Sequence, residues 1–439
     1  MNTENEIIEQ EEQAGVAEME EEQFTVAANI RKVLLMGYNG ANNTGSEARL
    51  LAIIEEVREM VGPEVQITIP TICGENLRRY VKEEANLKIV EYPTVYFFAL
   101  YRLVKEHDLI LLTEGSCYMD TWSSCLLWAW LWVTGCANKK GKIVVAYAVD
   151  SGYLSPFNQK LVRRIASKTD LIITRTRAAA DRLKSWKVNA PIEATADSAF
   201  GFRPDPADCD FLKKSWPETS AGVIGIAAVD FYLWPVVFRP FGRAKNCYRW
   251  PYYYSDSHQR RSDRKTLAKN YARFADQMID TYGLPVALIC MEQLDEPLAV
   301  MILSAMRRPE KVRIFSSREF NTSQMTSVLR SLDLLVTSRY HAGVLSLDAA
   351  IPQIAIGHDQ RLRDLYRELE LFDDYFLEYT SLQLFEVLEE RAEKLMNDPD
   401  SQRETLCRNS QNQHMWAKQN PVLLKQLLYR EHLDREVIL

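Results

Sequence analysis

No two cysteines in this 439-residue sequence have the short spacing of a metal-binding or redox motif. The eight cysteines occur singly, at positions 73, 117, 125, 136, 209, 247, 290 and 407. This distribution is typical of reduced, mostly buried thiols in a cytosolic protein, and it argues against a disulfide framework or a zinc site. The sequence also lacks a cluster of metal ligands, so we expect that no metal is required.

The sequence lacks a hydrophobic run long enough to cross a membrane. A spanning helix needs about 20 apolar residues, whereas the most hydrophobic run, residues 125–133, has nine. Its tryptophans predict a buried helix, with a membrane-facing or partner-facing patch as the alternative. Residues 1–23 have no lysine or arginine and no long apolar run, so they are not a secretory signal. We expect a cytoplasmic protein without transmembrane segments, with peripheral association at the inner face of the membrane as a second option.

Nothing in the sequence indicates the clustered basic face that a nucleic-acid partner requires, so we expect no nucleic-acid partner. The net charge is −7, but residues 1–23 contain nine glutamates, and the rest of the chain carries a formal charge of +2. Residues 1–30 are therefore predicted to form a disordered acidic N-terminal arm.

Short apolar runs alternate with helical patterns through most of the remaining chain. This alternation predicts an α/β fold with two Rossmann-like doubly wound domains that face a cleft. We place the N-terminal domain at residues 31–202, a proline-containing linker at 203–220, a C-terminal domain with an anion site at 221–380, and C-terminal helices at 381–439.

Residues 332–357 contain a predicted strand, turn, helix and strand, in the order that places two parallel strands side by side. The first strand is predicted at residues 333–337 and the helix at 342–350. The unpaired N–H groups and the dipole of a helix start attract an anion. The predicted phosphate or carboxylate site comprises Ser338, Arg339, Ala342 and Gly343.

Arg339 and His341 carry the chemistry that we predict for this turn. The guanidinium of Arg339 is a permanently charged fork suited to phosphate or carboxylate. The imidazole of His341 titrates near neutral pH and can deliver a proton, and we expect Arg339 to lower its pKa. The alternative is that a surface carboxylate pairs with Arg339 and that His341 only packs.

The motif Ser-Arg-Tyr-His-Ala-Gly at residues 338–343, followed by Ile-Pro-Gln-Ile-Ala-Ile-Gly-His-Asp at 351–359, resembles the C-terminal signature of the polysaccharide pyruvyl transferase family. The resemblance implies a two-domain fold similar to the GT-B glycosyltransferases. It also implies transfer of a pyruvyl group from phosphoenolpyruvate to sugar hydroxyls, forming a pyruvate ketal on a cell-envelope glycan or exopolysaccharide. Phosphoenolpyruvate would be a co-substrate, and no cofactor is expected. His358 ends a strand and would contact substrate or cap the next helix.

A glycine- and asparagine-rich loop follows the first predicted strand, and a helix is predicted from about Ala48. The loop is neither a GxGxxG fingerprint nor a P-loop, but it lets the backbone approach phosphate or sugar hydroxyls. Asn43, Gly45 and Glu47 match the family's Gly-x-x-x-Asn-x-Gly-Asp-Glu-like loop, while Ser46 stands where an acidic residue is usual. We assign these residues to the acceptor side of the cleft, with a capped tight turn as the alternative.

Two further loops are predicted to reach the acceptor. After the fourth strand only Gly115 remains of the family's glycine run, and Glu114 or Asp120 is a candidate general base, with surface capping as the alternative. Residues 230–264 form a long loop rich in aromatic residues and arginines, which are good sugar and anion contacts. Its candidate contacts are Tyr232, Trp234 and Arg239. The alternative is a partly buried excursion that packs on the N-terminal domain.

Phosphoenolpyruvate carries a phosphate and a carboxylate, so its binding needs at least two cationic donors. Arg339 supplies one, and Arg175, Arg177 or an arginine of the long loop supplies the other. In the implied reaction, His341 is the general acid or a phosphate-binding cation. The alternatives are a GT-B-like glycosyltransferase that uses a nucleotide sugar and a non-catalytic glycan-binding protein. The partner is a sugar or glycan acceptor, with a lipid-linked form as one option.

Overall fold

The computed structural model describes residues 30–436, so the predicted acidic arm lies outside the described residues except for Ile30. The strands are β1 (Lys32–Met36), β2 (Gln66–Thr71), β3 (Leu87–Glu91), β4 (Leu109–Leu112), β5 (Ile143–Val149), β6 (Leu171–Thr174), β7 (Ile192–Ala194), β8 (Ile224–Ala227), β9 (Val237–Phe238), β10 (Cys247–Arg249), β11 (Tyr252–Tyr253), β12 (Val286–Cys290), β13 (Val312–Ser316), β14 (Leu334–Thr337), β15 (Gln353–Gly357) and β16 (Phe376–Glu378).

The strands form two parallel sheets with corresponding topologies. The first sheet has seven strands in the order β3-β2-β1-β4-β5-β6-β7, and the second has six in the order β13-β12-β8-β14-β15-β16. In β4, β5, β6, β8, β12, β14 and β15 every residue is buried, as expected for parallel strands that helices cover on both faces. The predicted α/β fold with two Rossmann-like domains is confirmed.

The helices connect the strands and cover both sheets. They are α1 (Thr44–Val61), α2 (Gly74–Leu77), α3 (Phe97–Glu106), α4 (Ser124–Lys139), α5 (Pro156–Ala166), α6 (Arg177–Ser185), α7 (Phe211–Ser215), α8 (His258–Tyr282), α9 (Glu296–Ala305), α10 (Thr322–Arg330), α11 (Tyr340–Ser346), α12 (Gln360–Glu368), α13 (Phe372–Tyr375), α14 (Leu384–Asn397), α15 (Asp400–Ala417) and α16 (Gln419–Glu436).

Three helices begin earlier than the sequence predicted. Helix α8 begins at His258, because the Ser257 side chain accepts the Arg260 N–H and caps it, so the loop predicted at residues 230–264 ends at 257. Helix α1 begins at Thr44 rather than near Ala48, because the Asn43 side chain accepts the Ser46 N–H and caps the helix. Helix α11 begins at Tyr340 rather than at Ala342. Both predicted ligand-binding turns are therefore shorter than expected, and several of their residues lie inside helices.

Residues 230–257, which we call the aromatic excursion, contain a small antiparallel sheet of β9, β10 and β11. The excursion packs on the first domain. The Val236 N–H donates to the Trp122 carbonyl at 2.8 Å, and the Arg249 guanidinium donates to the Ile72 carbonyl at 2.8 Å. The excursion thus packs on the N-terminal domain, as the alternative predicted, and it also contributes Trp234 and Tyr252 to the lining of the interdomain cavity.

The C-terminal helices return the chain to the first domain. Leu424 and Leu428 of α16 are buried in a cluster with Leu50 and Ile53 of α1. The Asn420 side chain, at the start of α16, donates to the Ala196 carbonyl at 3.1 Å. Helix α16, which follows the second domain in the sequence, therefore packs against the first domain.

The hydrophobic run at residues 125–133 lies in α4. Trp130 is 1% exposed, whereas Trp132 is 40% exposed and makes an edge-to-face contact with Phe97. One side of this run is thus buried, as predicted, and another side is exposed to solvent. Across residues 30–436 no helix is long and apolar enough to cross a membrane.

Docking of α16 should contribute measurably to stability. Leu424 is fully buried, so Leu424→Ala removes apolar contacts and leaves a cavity, and we expect a loss of about 2–5 kcal/mol in the free energy of unfolding. Urea unfolding followed by circular dichroism measures this. The neighbouring Lys425 is exposed, so Lys425→Ala is the control and should stay within about 0.5 kcal/mol of wild type. Equal effects of the two substitutions would contradict the packing described here.

Candidate active site

A cavity of about 190 Å³ lies between the domains, where the carboxyl ends of both parallel sheets meet. The aromatic excursion closes one side of it. The residues that line it include Asn43, Ser46, Arg49, Glu114, Gly115 and Ser116 from the first domain, Met291, Glu292, Ser338, Arg339, Tyr340, His341, His358 and Arg361 from the second, and Trp234, Val236, Tyr248, Arg249 and Tyr252 from the excursion.

Arg339 lines the cavity but is held by two carboxylates. Its Nε donates to Asp295 Oδ2 at 2.9 Å, its Nη2 also donates to Asp295, and its Nη1 donates to Glu292 Oε2 at 3.0 Å. Both carboxylates are buried, not on the surface as the alternative reading expected. Burial raises the pKa of Asp295 to about 6, and Arg339 opposes that rise. The guanidinium is thus fixed in orientation, and its charge is largely matched.

His341 lies in the first turn of α11, with its Nε2 3.4 Å from Asp197 Oδ2. Burial lowers the pKa of His341 to about 4; Asp197 opposes this, while Arg175 and Arg49 add to it. The expected direction is confirmed, but the expected cause, Arg339, is wrong. The imidazole is neutral at pH 7, so it would act as an acid only if a bound anion raised its pKa.

A buried cluster of charges lies beneath His341. The Arg175 Nε donates to Asp150 Oδ2 at 3.0 Å, and its Nη1 donates to Asp197 Oδ2 at 2.6 Å. The Arg175 guanidinium also lies 3.8 Å from the centre of the Tyr340 ring. Arg175 is fully buried below the cavity and does not line it. In this arrangement Arg175 holds Asp197 and Tyr340 in place.

Arg49 joins this cluster from α1 and does line the cavity. Its side chain is 2% exposed, and its Nη2 donates to the carbonyls of Tyr147 and Ala148 at 3.2 and 2.8 Å. The sequence motifs did not point to Arg49, because it lies beyond the motif loop, inside α1. The sequence does contain a signal, because Arg49 is a permanently charged residue between Ala48 and Leu50 and follows Glu47 of the family motif by two positions.

Glu114 and Glu292 are the carboxylate residues that line the cavity in the described part of the chain. The Glu114 carboxylate accepts from the Tyr38 N–H at 3.1 Å and from the Ser116 N–H at 2.9 Å, so its orientation is fixed. The Glu292 carboxylate accepts from the Asn43 side chain at 3.3 Å. Of the two predicted candidate bases, Glu114 therefore reaches the cavity.

Asp120, the other candidate base, lies outside the cavity. Its Oδ2 accepts from the Ser155 N–H at 2.9 Å and from Asn158 Nδ2 at 2.7 Å, at the start of α5. This corresponds to the capping alternative. Two of the predicted acceptor contacts on the excursion, Tyr232 and Arg239, do not line the cavity either. Tyr232 is half-buried. Arg239 is exposed, and its guanidinium lies 4.8 Å from the centre of the Tyr253 ring.

Besides Arg175, three further residues of the predicted donor site do not line the cavity. The N–H groups of Ala342 and Gly343 donate within α11 to the Arg339 carbonyl, at 3.2 and 3.4 Å, because the helix begins two residues earlier than predicted. Arg177 is exposed and its guanidinium lies 5.0 Å from the centre of the Trp416 ring. Ser338 does line the cavity, as predicted.

His358 lies at the rim of the cavity between two aromatic rings. Its ring centre is 5.5 Å from that of Trp122 and 5.2 Å from that of Phe231. Burial lowers the pKa of His358 to about 4, with a smaller opposing effect from Asp359. His358 is therefore neutral at pH 7 and borders the cavity, whereas Asp359 caps α12.

The loop before α1 forms a hydrogen-bonded seam with the second domain. The Thr44 N–H donates to the Met291 carbonyl at 2.9 Å, and the Ser317 hydroxyl donates to the Asn42 carbonyl at 2.6 Å. The Glu47 carboxylate accepts from Thr322 at 2.8 Å, and burial raises the pKa of Glu47 to about 7. Glu47 thus faces the seam and not the cavity.

Gly45 brings α1 into direct contact with His341. A Cβ atom at Gly45 would lie 2.0 Å from His341 Nδ1, so a side chain there is incompatible with the observed imidazole position. Across residues 30–430, whose side chains the structure describes, no group of three or more histidine, cysteine, aspartate or glutamate side chains is arranged to hold a metal ion.

Comparison with known sequences gives a match to one family. The sequence model described as polysaccharide pyruvyl transferase matches residues 43–360, which is more than two thirds of the chain. No curated protein matches the chain significantly.

Comparison with solved structures shows the same overall fold at low sequence identity. The crystal structure of Anabaena Alr3699/HepE in complex with UDP-glucose is 13% identical, with a TM-score of 0.55, and the match covers 92% of this chain and 99% of that one. The S. aureus MnaA–UDP structure is 9% identical, with a TM-score of 0.57 and coverage of 89% and 94%. UDP-N-acetylglucosamine 2-epimerase from Rickettsia bellii is 11% identical, with a TM-score of 0.56 and coverage of 93% and 99%. The arrangement of the two domains is thus GT-B-like.

The contact between Gly45 and His341 predicts the effect of Gly45→Ala. The added methyl group must displace the imidazole or separate the domains, so we expect a loss of about 1–3 kcal/mol in stability and a shift of the His341 NMR signals. Gly135→Ala is the matched control, because a Cβ at Gly135 in α4 meets nothing within 4 Å. The control should stabilise by about 0.5–1 kcal/mol. If Gly45→Ala also stabilised the protein, the contact would be refuted.

The raised pKa of Glu47 predicts a pH-dependent stability. Because its pKa is about 7 when folded and 4.5 when exposed, the folded state favours the protonated carboxyl. This contribution is fully present below pH 4.5 and is lost as the pH rises through 7. Glu47→Gln removes this pH dependence. The free energy of unfolding of the variant, relative to that of wild type, should therefore rise by up to about 3 kcal/mol between pH 5 and pH 8. Urea unfolding midpoints at both pH values measure this, and a difference independent of pH would contradict it.

Proposed function

The chain belongs to the polysaccharide pyruvyl transferase family, and on that basis we propose that it transfers a pyruvyl group from phosphoenolpyruvate to two hydroxyls of a glycan. The product is a cyclic pyruvate ketal, and inorganic phosphate is released. The observation that carries the choice of donor is the cavity, which combines a small volume with arginine, histidine and carboxylate side chains in its wall.

The size of the cavity favours a small donor. Pockets for drug-sized ligands measure about 300–1,000 Å³, whereas this cavity measures about 190 Å³. A three-carbon enol phosphate fits within that space. Arg339 and Arg49 supply guanidinium groups at two places in the wall, in keeping with the two anionic groups of phosphoenolpyruvate.

We assign proton delivery to His341. The negative charges of the donor would raise the pKa of this buried imidazole above its ligand-free value of about 4, so that it binds a proton together with substrate. Transfer of that proton to the methylene carbon gives positive character at the adjacent carbon, to which a sugar hydroxyl adds. Loss of phosphate and addition of a neighbouring hydroxyl then close the ketal. One hydroxyl proton is transferred to the phosphate, and the other is transferred to the enzyme and replaces the proton that His341 donated.

We assign acceptor binding to the aromatic side of the cavity. Trp234, Tyr248 and Tyr252 line it, and aromatic faces suit the apolar faces of sugar rings. Glu114 and Glu292 line the same cavity and are the candidates to accept a proton from an acceptor hydroxyl.

The proposal predicts that the wild-type protein binds phosphoenolpyruvate and that His341→Gln separates binding from chemistry. The variant should bind phosphoenolpyruvate within about tenfold of wild type, since the guanidinium groups remain, and lose at least about a hundredfold in phosphate release with acceptor glycan. Calorimetry and ³¹P NMR measure the two effects.

The exposed Arg177, outside the cavity, provides the control. Arg177→Gln should match wild type in both measurements. UDP-glucose is the competing ligand. Binding of UDP-glucose without binding of phosphoenolpyruvate would refute pyruvyl transfer and support a glycosyltransferase, whereas binding of a glycan alone would support a non-catalytic role.

A further inference from the structure

Arg49 has buried hydrogen-bond donors that no described residue satisfies. Its Nη2 is occupied by two backbone carbonyls, but its Nη1 and Nε have no hydrogen-bond partner within residues 30–430. The nearest carboxylate oxygen to Nε, Asp197 Oδ1, lies 3.5 Å away. A buried charged donor without a partner is costly and uncommon, and in a ligand-binding cavity it indicates a group that meets the ligand.

The other arginines that line the cavity have partners for their charge or lie at its edge. Arg339 is held by Glu292 and Asp295, as described above. The Arg361 guanidinium donates to Asp359 Oδ2 at 3.1 and 2.7 Å. Arg249 is exposed and bonded to a backbone carbonyl. Arg49 differs from them in being both fully buried and incompletely paired.

Gly115 lets the loop after β4 pack directly on the Arg49 guanidinium. A Cβ at Gly115 would lie 2.5 Å from Arg49 Nη1 and 2.7 Å from Arg175 Nη1. Gly115 and Ser116 line the cavity together with Arg49, so the unpaired Nη1 lies buried in the cavity wall, beside the backbone of this loop. The position also lies close to His341, because Asp197 is within 3.5 Å of Arg49 Nε and 3.4 Å of His341 Nε2.

We propose that Arg49 binds an oxyanion of the substrate through Nη1, at the floor of the cavity beside His341. This inference rests on the proposed function and identifies the second cationic donor that a two-anion substrate requires. The bound oxygen belongs to the phosphate or to the carboxylate of phosphoenolpyruvate. Arg175, which lies beneath the cavity, acts as a positioning residue that holds Asp197 and leaves the Arg49 Nη1 unpaired.

Calorimetric titration of the full-length protein tests the inference with three probes: phosphoenolpyruvate, inorganic phosphate and pyruvate. Arg49→Lys keeps the charge but removes Nη1, and Arg49→Gln removes the charge as well. Both should raise the Kd of phosphoenolpyruvate at least about tenfold. Weaker binding of phosphate alone places the phosphate oxygens on Arg49, and weaker binding of pyruvate alone places the carboxylate there.

A variant that keeps every charge guards against misfolding of the Arg49 substitutions. The methyl group of Gly115→Ala would clash with Arg49 Nη1 and displace this guanidinium, so the substitution should also raise the Kd of phosphoenolpyruvate about tenfold. Gly135→Ala is its control. Arg330→Gln is the control for loss of an ion-paired arginine outside the cavity, since Arg330 pairs with Asp348, and it should leave the Kd unchanged.

The two proposals can fail separately. If wild type binds phosphoenolpyruvate and the Arg49 and Gly115 variants stay within twofold of it, the role of Arg49 is refuted while pyruvyl transfer stands. If wild type does not bind phosphoenolpyruvate but binds phosphate or pyruvate in an Arg49-dependent way, the oxyanion site stands and the donor is wrong. If wild type binds none of the three probes, both proposals are refuted.

Discussion

The carboxylate of Asp197 links the charged groups of the two domains. It accepts a hydrogen bond from Arg175, lies within ion-pair distance of Arg49, and faces His341 across the domain boundary. The guanidinium groups hold the pKa of Asp197 well below its usual range, against the effect of burial. Arg175 has a second carboxylate partner in Asp150, whereas Arg49 shares Asp197 with Arg175 and keeps open donors. Burial lowers the pKa of His341 against the effect of Asp197, so the imidazole is neutral.

A second set of ion pairs, formed by Arg339 with Glu292 and Asp295, lies in the wall that the second domain contributes. Glu292 and Asp295 fix the orientation of Arg339. Removing one partner from such a buried ion group destabilises a protein far more than the intact group stabilises it. These interactions therefore specify orientation more than they stabilise the fold. Burial raises the pKa of Asp295 to about 6, so this carboxyl can take up a proton near neutral pH when an anion competes for Arg339. Substrate binding is thus expected to be coupled to proton uptake at Asp295 and His341.

The sequence predicted most of the fold, because buried parallel strands appear as continuous apolar runs whatever their tertiary neighbours. It also identified Arg339, His341, Glu114 and Trp234, which line the cavity. It did not identify Arg49, since the side-chain pairing that makes this arginine distinctive exists only after Asp197 and Gly115 are brought together. Ala342, Gly343 and Glu47 were displaced from the predicted site by helix starts that side-chain caps and domain contacts determine. Asp120 and Arg177 were misplaced because the sequence does not show which helix start or aromatic ring a polar side chain contacts.

The central claim is that one small cavity between the domains binds phosphoenolpyruvate between the two charge clusters. A crystal structure of the protein with phosphoenolpyruvate tests it most directly. The account predicts density for the ligand in the cavity, with one anionic group within hydrogen-bond distance of Arg49 Nη1 and the methylene carbon beside His341. Phosphoenolpyruvate bound elsewhere, or a ligand in the cavity that leaves Arg49 Nη1 without a contact, would contradict the account.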